Sequence, residues 1–138
     1  MKIDHFGIAV RSLDESLPFY RNVLGLELAG RHAVEDEGVT VALLPVGDSR
    51  VELLEPASAD SPVGRFIGKR GEGLHHICYQ VENLETALAQ MKTAGIRLLD
   101  GYPRLGAEGK PVAFLHPASA NGVLVELIEK PRTREGEL

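Results

Sequence analysis

His5-Phe-Gly-Ile-Ala-Val10 is answered 71 residues later by His76-Ile-Cys-Tyr-Gln-Val81, in register from His to Val. A second pair of strings repeats in the same order. Val51-Glu-Leu-Leu-Glu-Pro56 is matched by Val125-Glu-Leu-Ile-Glu-Lys-Pro131. Each half opens with a His inside a strand-like run and closes with a Glu inside another. The Glu follows the His by 47 residues in the first half and by 50 in the second. Two modules of about 65 residues are small to bury a core alone, so they are expected to fuse.

The opening run alternates. Phe6, Ile8 and Val10 share one face of a strand over 2–10; His5, Gly7 and Ala9 share the other. In the second copy Ile77, Tyr79 and Val81 take the bulky face, and His76, Cys78 and Gln80 the opposite one. The bulky face suits packing against helices. The His face carries small groups that leave volume beside each imidazole, as a sheet lining a cavity requires. By the same alternation His75 falls on the bulky face and reads as structural or as a supporting residue.

A helix is expected after each of these strands. Ser12-Leu-Asp-Glu15 reads as a capping box, with Leu13, Leu17, Tyr20 and Leu24 as an apolar stripe and Gly25 as the stop. Pro18 should kink this helix or shift its start. Asn83, then Leu84, Leu88 and Met91, then Gly95 repeat the plan. Three strands are expected next in each half, over about 27–34, 39–46 and 50–55, and over about 97–102, 111–115 and 123–129. Gly47-Asp48 and Asn121-Gly122 mark the last hairpins.

The expected fold is therefore α+β. Two tandem βαβββ modules, about 1–56 and 72–131, form a curved mixed sheet around a metal-binding cavity. The linker 57–71 contains a short helix, and the whole 1–138 is read as a single domain. The tail 132–138 is charged and expected to fray.

Composition narrows the function classes. The net charge of −5 argues against a nucleic-acid partner. No apolar run approaches the ~20 residues of a membrane helix, and the start has no signal-peptide core. Cys78 is the single cysteine, so no internal disulfide forms, which fits a cytoplasmic location.

Taken singly, the chemically capable residues have ordinary structural explanations. His5 or His76 alone reads as a hydrogen-bonded strand histidine, and Glu52 as a solvent-facing strand residue. Glu126 is less ordinary, because its neighbours in 123–128 are apolar and an unpaired buried carboxylate is costly. Together, His5, Glu52, His76 and Glu126 form a symmetric ligand set for a divalent cation, which would offset the burial of both carboxylates. Such N/O ligands suit Co²⁺, Ni²⁺, Mn²⁺ or Zn²⁺, with two positions left for water or substrate. Cys78 aligns with Gly7 and reads as a space-filler. His116 in Phe114-Leu-His-Pro117 reads as a turn histidine or a substrate contact, and His32 as a surface residue. Arg65, Lys69 and Arg70 form a basic cluster that is either solvated or placed to hold ligand phosphates.

These residues resemble the vicinal oxygen chelate superfamily, which includes glyoxalase I, ring-cleaving dioxygenases and methylmalonyl-CoA epimerases. The chain looks most similar to the epimerases. The resemblance runs through 3–10, Phe19-Tyr-Arg21, 38–42, 51–56, Lys69-Arg-Gly-Glu-Gly-Leu-His-His-Ile77, 103–107, 114–117 and 122–127. It implies interconversion of (R)- and (S)-methylmalonyl-CoA by α-proton abstraction and return through a metal-stabilised enolate. It further implies one divalent metal, Co²⁺ first among the candidates, and a CoA-thioester substrate. Arg104, His116, Lys69 and Arg70 are the substrate contacts it suggests, and a homodimer the assembly.

One departure concerns the proton carriers. Some epimerases have Gln at the place of Glu52 and a separate Glu at the place of Val41, and valine carries no proton. Glu126 is expected to be one carrier and Glu52 the other, with Glu35 or Glu37 as the fallback. The alternatives are a glyoxalase I-like isomerase acting on a thiol hemithioacetal and a non-catalytic small-molecule-binding module. Ring cleavage fits less well, because a fourth protein ligand occupies an open position of the usual iron site.

Overall fold

The computed structural model describes residues 1–106 and 109–130. The tail 132–138 and the expected module end at 131 lie outside them. The described residues include eight strands. The chain divides into two compact units, one from His5 to His76 and one formed by Met1–Asp4 with the residues from Ile77 on. Among the described residues no helix is long and apolar enough to cross a membrane.

The first unit holds β1 (Lys2–Ala9, from His5), α1 (Leu13–Pro18), β2 (Gly30–Val34), β3 (Val39–Val46), β4 (Ser49–Pro56) and α2 (Pro62–Arg70). Its strand order is β2-β3-β4-β1, antiparallel except for the parallel β1–β4 pair. Alternation sorts the side chains onto two faces. Val10, Ala42, Leu44 and Leu53 pack with Leu13 and Leu17 of α1. Ala9, Val39, Val41 and Leu54 pack with Val63 and Ile67 of α2. Val41 is thus a core residue, 6% exposed.

The face that carries His5 and Gly7 is expected to leave volume beside the imidazole, but it is not open along its whole length. Instead the nine-residue helix α2 closes its Ala9 end. The linker helix forms because Ser61 caps it, its Oγ accepting from Gly64 N at 3.2 Å, and because Pro62 at the first position lacks only a donor that the helix does not use.

Ser12 caps α1 as expected, its Oγ accepting from Glu15 N at 3.2 Å. Pro18 cannot donate to the preceding turn, and the helix widens after it into a π turn over Phe19–Val23, closed by Leu24 N to Phe19 O at 3.0 Å. Strand β2 starts at Gly30 rather than 27, since Leu26 and Leu28 turn into the α1 core.

The second unit holds the later part of β5 (Gly73–Val81), α3 (Leu84–Thr93), β6 (Arg104–Leu105), β7 (Pro111–Leu115) and β8 (Val125–Glu129). Its strand order is β5-β8-β7-β6, with β5 and β8 parallel. Val81, Ala113, Leu115 and Leu127 pack with Leu84 of α3, flanked by Leu88 and Met91. Cys78, Val112 and Ile128 cluster on the opposite face beside Tyr102. The strand expected over 97–102 is reduced to a bridge between Leu98 and Leu115. Pairing begins there, with Leu99 N donating to Phe114 O at 2.8 Å. Gly101, at φ +83°, and Pro103, with no N–H, end it, and a two-residue β6 resumes the edge.

Candidate metal centre

Strand β1 delivers His5 and the start of β5 delivers His76, both within the first unit and both buried, at 5% and 6% exposure. Their Nε2 atoms lie 3.0 Å apart, with the rings edge to face at 5.1 Å and 87°. Two imidazoles that converge through the same ring atom present either one hydrogen bond or two lone pairs to a common point. Gly7 makes the approach possible. A Cβ there would overlap Cε1 and Nδ1 of the His76 ring, closer than real Cβ contacts come. The open volume read from the small residues is, at Gly7, the space that His76 fills.

The outer nitrogen of His5 is also engaged. His5 Nδ1 is 3.2 Å from Glu52 Oε2, and Arg50 Nε donates to the same oxygen at 2.6 Å. Glu52 is 8% exposed, not the solvent-facing strand residue it would be in isolation. Glu126 is half-buried on β8. Its register repeats that of Glu52: Gly7 pairs with Glu52 across β1–β4, and Cys78 pairs with Glu126 across β5–β8. Each glutamate therefore stands beside the residue two places after its module's histidine. His5 and His76 belong to sets of side chains that are able to hold a metal ion.

The remaining expected site residues are more dispersed. Lys69 and Arg70 are exposed in the last turn of α2, and Arg70 lies 5.7 Å from the Phe66 ring centroid. Arg104 is exposed over the Tyr102 ring at 4.5 Å, and donates to the Tyr102 hydroxyl at 2.9 Å. His116 caps a 3-10 turn over Pro117–Ser119, its Nδ1 accepting from Ala118 N at 3.0 Å, as a turn histidine does. His32 is exposed. Glu35 and Glu37 sit in a 3-10 turn before β3.

Asp4 and the second glutamate of each string are absent from the sequence reading, and His75 is there only as a structural or supporting residue. Asp4 is 2% exposed and accepts from Lys130 Nζ at 2.6 Å and Gln80 Nε2 at 2.9 Å. His75 does not simply turn away from its neighbour, since its Nδ1 lies 2.9 Å from His76 Nδ1. The second glutamate of each repeated Val-Glu string anchors a helix start. Glu55 Oε2 accepts from Leu13 N at 2.7 Å, and Glu129 Oε1 from Leu84 N at 3.0 Å. The repeat itself carried that last signal, because Glu55 and Glu129 match as well as Glu52 and Glu126 do.

A profile of the Glyoxalase/Bleomycin resistance protein/Dioxygenase superfamily matches residues 4–114. An ethylmalonyl-CoA/methylmalonyl-CoA epimerase of Cereibacter sphaeroides is 44% identical over 128 residues, 91% of this chain and 96% of the relative. A crystal structure of a hypothetical protein from Bacillus halodurans matches with 47% identity and a TM-score of 0.90, over 98% of both chains. A Streptomyces coelicolor methylmalonyl-CoA epimerase variant solved with 2-nitronate-propionyl-CoA matches with 38% identity and a TM-score of 0.86. That match covers 96% of this chain and 99% of the other. The chain belongs to the Glyoxalase/Bleomycin resistance protein/Dioxygenase superfamily and, within it, to the methylmalonyl-CoA epimerase family.

Proposed function

We propose that this protein is an epimerase that interconverts (R)- and (S)-methylmalonyl-CoA. The observation that carries the reading is the convergence of His5 and His76 through their Nε2 atoms, in a chain 44% identical to an epimerase over almost its whole length. Two imidazole nitrogens and nearby carboxylates suit a divalent ion of borderline softness. The proposed ligands are His5, Glu52, His76 and Glu126. These residues would hold a divalent ion, Co²⁺ in the first instance, which would supply Lewis acidity for a thioester oxygen that gains charge.

The protein's own groups handle the proton. Breaking the α-C–H bond sends its electron pair onto the thioester carbonyl as an enolate, and a new C–H bond then forms on the opposite face. Two carriers are needed, one for each face. Glu126 takes one role. Glu52 takes the other, because Val41 is packed in the α2 core and has no proton to move. Arg50 and His5 share Glu52 Oε2, which leaves Oε1 as the oxygen for ligand or proton. Lys69 and Arg70 are proposed to meet the CoA phosphates, and Arg104 and His116 the acyl end.

The ligand set draws on both halves of the chain, which are proposed to act as one domain in a cytoplasmic homodimer. Metal-loaded protein mixed with (S)-methylmalonyl-CoA should yield the (R) epimer. Metal-loaded protein that leaves the epimer unchanged, but isomerises the hemithioacetal of methylglyoxal and glutathione, would contradict the assignment.

A further inference from the structure

His76 makes a contact that the proposed chemistry leaves unused. Its Nε2 faces His5, and its Nδ1 lies 2.9 Å from Nδ1 of His75. A neutral imidazole has one N–H and one lone pair, so the two nitrogens of His76 cannot be assigned independently. If Nε2 presents a lone pair to a metal, Nδ1 must carry the proton. In a ring that is 6% exposed, that proton needs an acceptor. His75 Nδ1 is at hydrogen-bond distance to accept it, provided that His75 carries its own proton on Nε2.

His75 is held in turn. Its ring meets Phe66 of α2 edge to face, at 5.0 Å and 69°, and Arg70 lies 5.7 Å from the centroid of the same Phe66 ring. A packed aromatic contact of this kind restricts the ring flip that would move Nδ1 away from His76. His5 is supported differently, since its Nδ1 faces the carboxylate of Glu52 rather than a neutral ring.

We infer that His75 is a positioning residue: clamped by Phe66, it fixes His76 in the Nδ1–H tautomer and turns Nε2 toward His5. The inference rests on the metal reading above. The two can fail separately, because a parent that binds metal with no contribution from His75 would refute this inference alone. Outer partners of metal-bound histidines typically contribute 10- to 100-fold in affinity or activity. His75→Phe keeps a ring against Phe66 and removes the acceptor. His75→Asn restores an acceptor atom near the former Nδ1 position.

The test is metal affinity by competition with a chelator, together with ¹⁵N NMR of the imidazoles in Zn²⁺-loaded protein at constant pH. His75→Phe should weaken Co²⁺ and Zn²⁺ binding by about 10- to 100-fold, and His75→Asn should recover most of the loss. The Zn²⁺-loaded parent should show His76 protonated at Nδ1 and bound through Nε2. Unchanged affinity in a folded His75→Phe, or a His76 bound through Nδ1 in the parent, would overturn the inference and leave the metal reading intact. A parent that binds neither ion would overturn both.

Discussion

In the first half Glu52 stands opposite Gly7 across a parallel β1–β4 pair; in the second, Glu126 stands opposite Cys78 across a parallel β5–β8 pair. The scaffold around them is repeated closely. Ser12 and Asn83 cap the helix that follows each first strand, accepting from Glu15 N and Thr86 N. Glu55 and Glu129 reach from each last strand to the helix start at Leu13 and Leu84. A carboxylate on the first-turn N–H groups satisfies orphan donors and meets the positive end of the helix. Each half makes those bonds within itself.

The support of the site differs between the halves. Arg50 lies beside Glu52, and the matching position before Glu126 is Leu124. Asp4 precedes His5 and binds Lys130 and Gln80, whereas His75 precedes His76 and meets its Nδ1. Helix α2 covers part of the His face in the first half, while the corresponding face of the second packs Tyr102 on Cys78. The repeat preserves what folds each half and varies what surrounds each imidazole and carboxylate.

The sharpest way to break the comparison is to remove one glutamate at a time. Glu126→Gln should lower the epimerisation rate by about 10²- to 10⁴-fold, and Glu52→Gln by a similar factor. Steady-state rates in both directions measure this. A Glu52→Gln enzyme at full rate with metal bound would end the two-carrier account and leave the halves unequal in chemistry.

The next largest contrast is at the matched pair Gly7 and Cys78. Gly7→Ala places a methyl group inside the His76 ring. It should cost about 1–3 kcal/mol by overpacking and weaken metal binding as the ring is displaced. Cys78 is fully buried among Val112, Ile128 and Tyr102, so Cys78→Ala leaves a small void costing about 1 kcal/mol. Urea unfolding and Co²⁺ titration of both variants compare them. Equal effects on metal binding would show that Gly7 makes no special room for His76.

Much of this was legible in the sequence because it depends on short-range periodicity. Alternation at 5–10 and 76–81 separates the α1- and α3-facing residues from the His face, and Leu13/Leu84 and Leu17/Leu88 mark the helix stripes. The paired glutamates were legible because duplication repeats them. What remained hidden depends on long-range packing or on breaks in the pattern. Nothing local to residues 62–70 tells that Val63 and Ile67 will cover Ala9. The apolar look of 97–102 suggested a strand that Gly101 and Pro103 interrupt. The facing of His75 Nδ1 and His76 Nδ1 defies simple alternation, which places neighbouring side chains on opposite faces.

Smaller effects sharpen the scaffold side. Glu55→Ala and Glu129→Ala should each cost about 1 kcal/mol, as the loss of a helix-start acceptor does. Thermal unfolding of the two variants should give nearly equal shifts; a clear inequality would show that the anchors are not equivalent.

The smallest effect separates the two helix stripes, where Tyr20 stands at the place of Met91. Burial, and then the charge of Glu72, raise the Tyr20 pKa above the ordinary tyrosine value. A raised pKa favours the neutral phenol in the folded state. Its contribution to stability is therefore complete below the unfolded pKa of about 10 and is lost as pH rises through the folded value. Ultraviolet titration should show a late-ionising component, and Tyr20→Phe should reduce it.

The central claim is that this fold moves the α-proton of a CoA thioester with the help of a bound metal. Deuterium exchange into methylmalonyl-CoA in D₂O tests it most directly. The account predicts rapid exchange at the α-carbon together with loss of stereochemical purity, abolition of both by a chelator, and recovery on adding Co²⁺. Metal-loaded protein that binds the thioester without incorporating deuterium, or exchange that a chelator leaves untouched, would contradict it.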